Sequence, residues 1–159
     1  MKRFTLFLLV CSISVVSCVV PPSVERIPFP QEEYDALPTE GTGIVRGQAF
    51  LKTRGGDVKT AAGESVRLNP VTSYSQQWFD ISYSGSGRMA PSDPRNDNYI
   101  ITTIADGDGR FVFKNVPPGE YFLGAFISWY AGGYRNEGGY VATKISVSDG
   151  DDIDVIVTR

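Results

Sequence analysis

The sequence predicts an all-β domain, a sandwich of about seven short strands with one short helix near residues 72–80. Three observations carry this. Glycine and proline are abundant, 17 and 10 in 159 residues, which favours turns over long helices. Apolar residues alternate with polar ones in runs of four to ten, the period of a strand with one buried face. Nearly every run is closed by an Asp-Gly, Asn-Pro or Gly-Gly step.

In chain order, residues 43–51 form the first strand, with Val45, Gly47, Ala49 and Leu51 on one face. Residues 53–57 turn the chain, 58–61 make a short second strand, and 62–64 turn again. Residues 65–69 place Val66 and Leu68 inward, and Asn69-Pro70 ends that run. Residues 72–80, TSYSQQWFD, have helical spacing: Ser73 can cap, Gln76 lies three residues on, and Tyr74 and Trp78 share a face. Residues 82–98 are a long loop rich in Ser, Gly, Pro, Asp and Asn. Strands follow at 99–105, 111–116, 120–129, 138–148 and 152–158. Phe111 and Phe113 share one face; so do Tyr121, Leu123, Ala125, Ile127 and Trp129, and so do Ile153, Val155 and Val157.

The start of the chain has a different composition. Lys2-Arg3 precedes a mostly apolar run from Phe4 to Val16, the layout of an export signal. It is short for a spanning helix, which needs about 20 apolar residues. Val15-Val16-Ser17-Cys18 resembles the lipobox of bacterial lipoproteins. The resemblance implies acylation of Cys18 and cleavage after Ser17, so that residues 1–17 are a leader. Two or three acyl chains, at about 0.8 kcal/mol per buried methylene, anchor durably. Val19 rather than Asp after the cysteine implies the outer membrane in a Gram-negative cell. Residues 18–42 then read as the lipidated cysteine and a Pro-rich acidic linker, with five prolines and five acids against Arg26. Phe29 and Tyr34 are placed to dock on the domain, residues 43–159.

Charge and residue inventory limit the function. Loss of Lys2 and Arg3 with the leader leaves 13 basic and 18 acidic groups, a net charge of −5. That argues against nucleic acid as a partner. The chain has no histidine, which removes Ser-His-Asp and Cys-His nucleophiles and imidazole-held zinc. Both cysteines, Cys11 and Cys18, lie in the leader region, so the domain has neither a disulfide nor a thiolate site.

Asp106-Gly107-Asp108-Gly109 is the nearest approach to a metal motif. Counted as an EF-hand loop from Asp106, position 5 is Arg110, position 6 is Phe111 and position 12 is Pro117, where an oxygen ligand, Gly and Glu belong. We read a hairpin turn that uses the positive φ of Asp-Gly steps. The acidic run Asp149, Asp151, Asp152, Asp154 reads as a second Asp-Gly turn. No metal or cofactor is expected.

The run from Asp106 to Leu123, DGDGRFVFKNVPPGEYFL, resembles the signature of carboxypeptidase regulatory-like domains. Asp108, Gly109, Phe111, Phe113, Asn115, Val116, Pro117, Pro118, Gly119, Tyr121 and Leu123 fill its slots, and Val45–Leu51 is similar to the family's first strand. The resemblance implies a transthyretin-like or Ig-like sandwich over roughly residues 43–158, with 70–98 as an insert. Enzymes near this fold use histidines, absent here. Adhesin domains with an isopeptide bond need a first-strand lysine, which residues 43–51 lack.

The expected function is that of a non-catalytic envelope lipoprotein, a structural or interaction module for an envelope protein or glycan. The alternative is a glycan-binding module using loop aromatics. Two aromatic groups could serve: Tyr74, Trp78, Phe79 and Tyr83, and Trp129, Tyr130, Tyr134 and Tyr140. Tyr130, Tyr134 and Arg135 are the expected contacts, because Gly-rich loops bearing aromatics suit sugar rings and peptides.

Overall fold

The computed structural model describes residues 23–85, 87–132 and 135–159. The leader, Cys18 and Tyr134 fall outside them. Among the described residues, eight strands build two facing sheets. In the first, β1 (Gly43–Lys52) lies antiparallel to β5 (Arg110–Val116) and β2 (Val58–Thr60), and parallel to β8 (Asp152–Val157). In the second, the order is β4 (Ile101–Ile104), β3 (Ser65–Pro70), β6 (Gly119–Tyr130), β7 (Asn136–Val147), all antiparallel. The sandwich expected from the sequence is therefore present.

The core lies between the sheets and is built by the alternating residues. Val45, Ala49, Val66, Leu68, Phe111, Phe113, Leu123, Ala125, Ile127, Val141 and Val157 are buried there. Trp129, Ile153 and Val155 pack against its margin. Burying a Val, Leu, Ile or Phe side chain contributes about 1.5–3 kcal/mol, so this layer dominates stability.

The Asp-Gly turn at 106–109 differs from the expected hairpin. It joins β4 to β5, which belong to different sheets. Asp106 Oδ1 accepts from the backbone N–H of Asp108 and of Arg110, both at 2.9 Å. Its carboxylate thus holds the turn together. Gly109 has φ +76°, and a Cβ there would lie 2.6 Å from the Ala49 carbonyl oxygen. Glycine is required because the turn presses on β1. The Asn115–Gly119 corner also crosses between sheets. Asn115 takes φ +56°, a left-handed conformation that Asn tolerates better than most residues. Tyr121 bonds back from its hydroxyl to the Pro117 carbonyl at 2.8 Å.

The chain before the domain is not a bare spacer. Helix α1 (Gln31–Asp35) interrupts it, and Tyr34 is buried. The Tyr34 ring stacks on Phe29 with centroids 4.6 Å apart. Its hydroxyl donates to Asn96 Oδ1 at 2.8 Å and accepts from Thr72 Oγ1 at 3.1 Å. The docking of Phe29 and Tyr34 follows the sequence expectation.

Helix α2 (Ser73–Trp78) starts one residue earlier than the capping pattern suggests. Thr72 is its N-cap, and Thr72 and Ser75 satisfy each other's backbone N–H groups. The chain continues through a π-helical stretch, Phe79–Tyr83. Residues 82–98 are less loop-like than expected: Val24 bridges Met89, and a 3₁₀ helix covers Pro94–Tyr99.

Candidate functional site

The outer face of the second sheet carries the most chemically distinctive surface. Strand alternation sends Arg67 and Asn69 of β3, Phe122 and Gly124 of β6, and Tyr140 and Ala142 of β7 to this side. The register aligns Arg67, Gly124 and Ala142 across the sheet, and places Asn69 beside Phe122. Gly124 leaves the floor bare: a Cβ there would lie 2.6 Å from the Val141 carbonyl oxygen and 2.8 Å from the Tyr140 ring.

The α2 and π-helical stretch folds over one side of this floor. Phe79 stacks on Phe122 at 4.4 Å, which buries Phe122 on the face that alternation leaves to solvent. Trp78 meets Tyr140 edge to face at 5.2 Å. Tyr83 secures the wrap. Its hydroxyl donates to the Ala142 carbonyl at 2.8 Å and accepts from the Ala142 N–H at 2.9 Å. Both backbone groups belong to the open edge of β7, so the phenol occupies one pairing position of that edge, at Ala142.

A cleft of about 180 Å³ remains between this wrap and the 3₁₀ helix. Tyr74, Trp78 and Tyr140 give it aromatic walls, and Arg26, Arg67, Asn69 and Asp97 give it polar groups. Asn69 Oδ1 is buried with no hydrogen-bond partner among the described residues. Buried polar atoms are normally paired, and this one, beside the cleft, is left without its donor. Arg67 approaches Asp97 at 3.4 Å. Burial pushes the Tyr140 phenol up, opposed by the positive charge of Arg67. It therefore stays neutral, a donor as well as an acceptor, at ordinary pH.

A larger space of about 290 Å³ lies beneath α1, lined by Tyr34, Leu37, Pro38, Tyr99 and Pro117 among others. It is mainly apolar, with Thr39, Asn98 and Glu120 as its non-aromatic polar side chains, and it offers no guanidinium to orient a ligand.

Of the expected contacts, Tyr130 and Arg135 can be placed, and Tyr134 falls outside the described residues. Tyr130, exposed, ends β6, and Arg135, exposed, sits at the β6–β7 connection. Neither lines the cleft. The cleft draws on both aromatic groups, Tyr74 and Trp78 from the first and Tyr140 from the second, with Trp78 and Tyr140 62 positions apart. Arg67, Asn69 and Asp97 carry no sequence signal of their own. Glycine at 124 inside an apolar strand is the one hint, since such a glycine often marks close approach of backbone or ligand. No group of His, Cys, Asp or Glu suited to a metal ion occurs among the described residues.

No family model and no curated relative matches the chain. Among solved structures, it is similar to a candidate carbohydrate-binding protein of Pseudomonas aeruginosa. The TM-score is 0.74 at 27% identity, over 84% of this chain and 99% of that one. A more distant likeness, with TM-score 0.42 and 13% identity, is to the major pilin subunit of Bacillus cereus. It covers 75% of this chain and 29% of that one.

Proposed function

We propose that this protein is a non-catalytic carbohydrate-binding module, held at the cell envelope through acylated Cys18. The observation that carries the binding reading is the aromatic cleft with an unpartnered acceptor, Asn69 Oδ1, in its floor. Sugar rings present C–H faces that pack on aromatic rings and hydroxyls that hydrogen-bond to amides and carboxylates. The cleft has both kinds of surface within one ring's reach. Its volume is below the roughly 300–1,000 Å³ of sites that enclose drug-sized ligands, which suits one sugar unit or a chain end. The similarity to the Pseudomonas aeruginosa protein supports the same reading.

A binding role without catalysis rests on the cleft's chemistry. Glycoside hydrolysis generally needs a pair of carboxyl groups, and among the described residues the cleft contributes only Asp97, set against Arg67. The resemblance of residues 106–123 to carboxypeptidase regulatory-like domains bears on the fold alone. The anchor rests on the Val15–Cys18 motif. Because Val24 is already bridged to Met89, only six residue steps separate Cys18 from it, a reach of at most about 22 Å. The domain then rides close to the lipid surface.

Titration calorimetry of the full chain in a non-glycoside detergent, against a panel of hexoses and hexuronic acids, tests the function. We expect saturable binding that quenches tryptophan fluorescence, and its loss in Trp78→Ala. A folded Trp78→Ala protein that binds as the parent does would refute this site. Metabolic labelling with a fatty-acid analogue tests the anchor; label retained in Cys18→Ala would refute it.

A further inference from the structure

Resting on the carbohydrate reading, we infer that the ligand is an acidic sugar whose carboxylate is received by Arg26. Three observations lead there.

Arg26 is fixed before any ligand arrives. Its Nε donates to the Ala90 carbonyl at 2.8 Å, and its guanidinium lies over the Tyr74 ring, 5.0 Å from the centroid. The chain on either side is clamped by one side chain: Gln77 Nε2 donates to the Glu25 carbonyl at 3.2 Å, and Gln77 Oε1 accepts from the Ile27 N–H at 3.1 Å. Val24 is tied on both sides, its N–H to the Arg88 carbonyl at 2.7 Å and its carbonyl to the Ala90 N–H at 2.9 Å. A side chain held this way loses little entropy on binding.

The working edge of that guanidinium is uncommitted. Arg26 lines the cleft, yet neither Nη makes a hydrogen bond or ion pair among the described residues. Two parallel N–H groups in a plane are the shape that receives a carboxylate bidentately.

The local charge opposes that of the chain. The cleft is lined by two guanidiniums and one carboxylate, and that carboxylate, Asp97, sits with Arg67. Among the described residues, Arg26 is the uncompensated charge of the cleft lining, in a chain whose overall net charge is −3. A neutral sugar offers it hydroxyl oxygens alone, whereas a carboxylate adds charge and a bidentate geometry. Asn69 Oδ1 accepts a hydroxyl, Trp78 and Tyr140 offer ring faces, and Arg26 takes the acid.

The test compares glucuronic acid with glucose, and galacturonic acid with galactose, by calorimetry of the full chain in non-glycoside detergent. A charge-assisted bidentate contact predicts that one uronic acid of the set binds about tenfold to a hundredfold more tightly than its parent hexose. That preference should shrink as salt rises. Arg26→Gln should abolish the preference, so that uronic acid and parent hexose bind the variant within about twofold of each other. Asp97→Asn, which releases Arg67, should increase the preference. Equal affinity for uronic acid and hexose, or a preference that survives in Arg26→Gln, overturns this inference alone. Binding of none of these sugars overturns the carbohydrate reading and this inference with it.

Discussion

Replacing Asn69 with alanine should weaken sugar binding without weakening the fold. Asn69 Oδ1 is buried and has no partner among the described residues. An acceptor left in that state costs roughly 1–3 kcal/mol. Alanine removes it, and because the amide borders a cleft open to solvent, little apolar packing goes with it. The unfolding free energy should therefore stay level or rise by about 1–2 kcal/mol. For a chain of this size that is about 2–4 °C in Tm per kcal/mol. A ligand hydroxyl donating to Oδ1 is worth about 0.5–1.5 kcal/mol net, so affinity should fall about twofold to tenfold. Scanning calorimetry reads the first quantity and titration calorimetry the second. The assignment of Asn69 to ligand binding would be refuted by the reverse pair of results: a Tm lowered by several degrees with sugar affinity unchanged.

Two further predictions concern the segment that precedes the sandwich. Tyr34→Phe removes a hydroxyl engaged with both Asn96 and Thr72, leaving a buried amide oxygen unpaired. A loss of roughly 1–3 kcal/mol is expected, seen as a lower midpoint in urea and faster proteolysis within residues 23–42. An unchanged midpoint would show that this segment is not part of the cooperative fold. Asp93 is held down to about 2, first by the Arg95 side chain and then by the Arg95 backbone N–H. Since its folded value lies below the ordinary 3.8, the interaction stabilises above about pH 4. It fades as pH falls from 3.8 toward 2. Arg95 also stacks over Phe29 at 4.5 Å, so this contact should loosen in the same window. Carboxyl NMR should place the Asp93 midpoint near 2, returning toward 3.8 in Arg95→Gln; a midpoint unaffected by the substitution would exclude Arg95 as the cause.

The strands were legible because alternation is a local property. Val45, Ala49 and Leu51 face the core in the order the sequence shows, and so do Tyr121, Leu123, Ala125 and Ile127. Where a second layer covers a face, that logic runs out. Phe122 sits at a solvent-side position by alternation, yet Phe79 stacks on it. The Asp-Gly and Pro-Pro-Gly turns were legible as turns, but not as crossings between sheets. Which sheet receives the next strand depends on pairing partners far away in the chain, and a turn's residues do not encode them. β8 shows the same point: it pairs in parallel with β1 across the whole domain.

From the residues alone came the sandwich, its core faces, the absence of histidine chemistry and the aromatic reserve. Period-two patterning and residue inventory need no partner to be read. Tertiary structure decided the cleft. Arg26, Arg67, Asn69, Trp78, Asp97 and Tyr140 come from the leading segment, two strands and two helical pieces. They meet only because Tyr83 and Gln77 fasten the wrap and the leading segment to the sheet's outer face. Hydrogen bonds between residues more than 45 positions apart leave no periodic trace, so no local pattern could announce them.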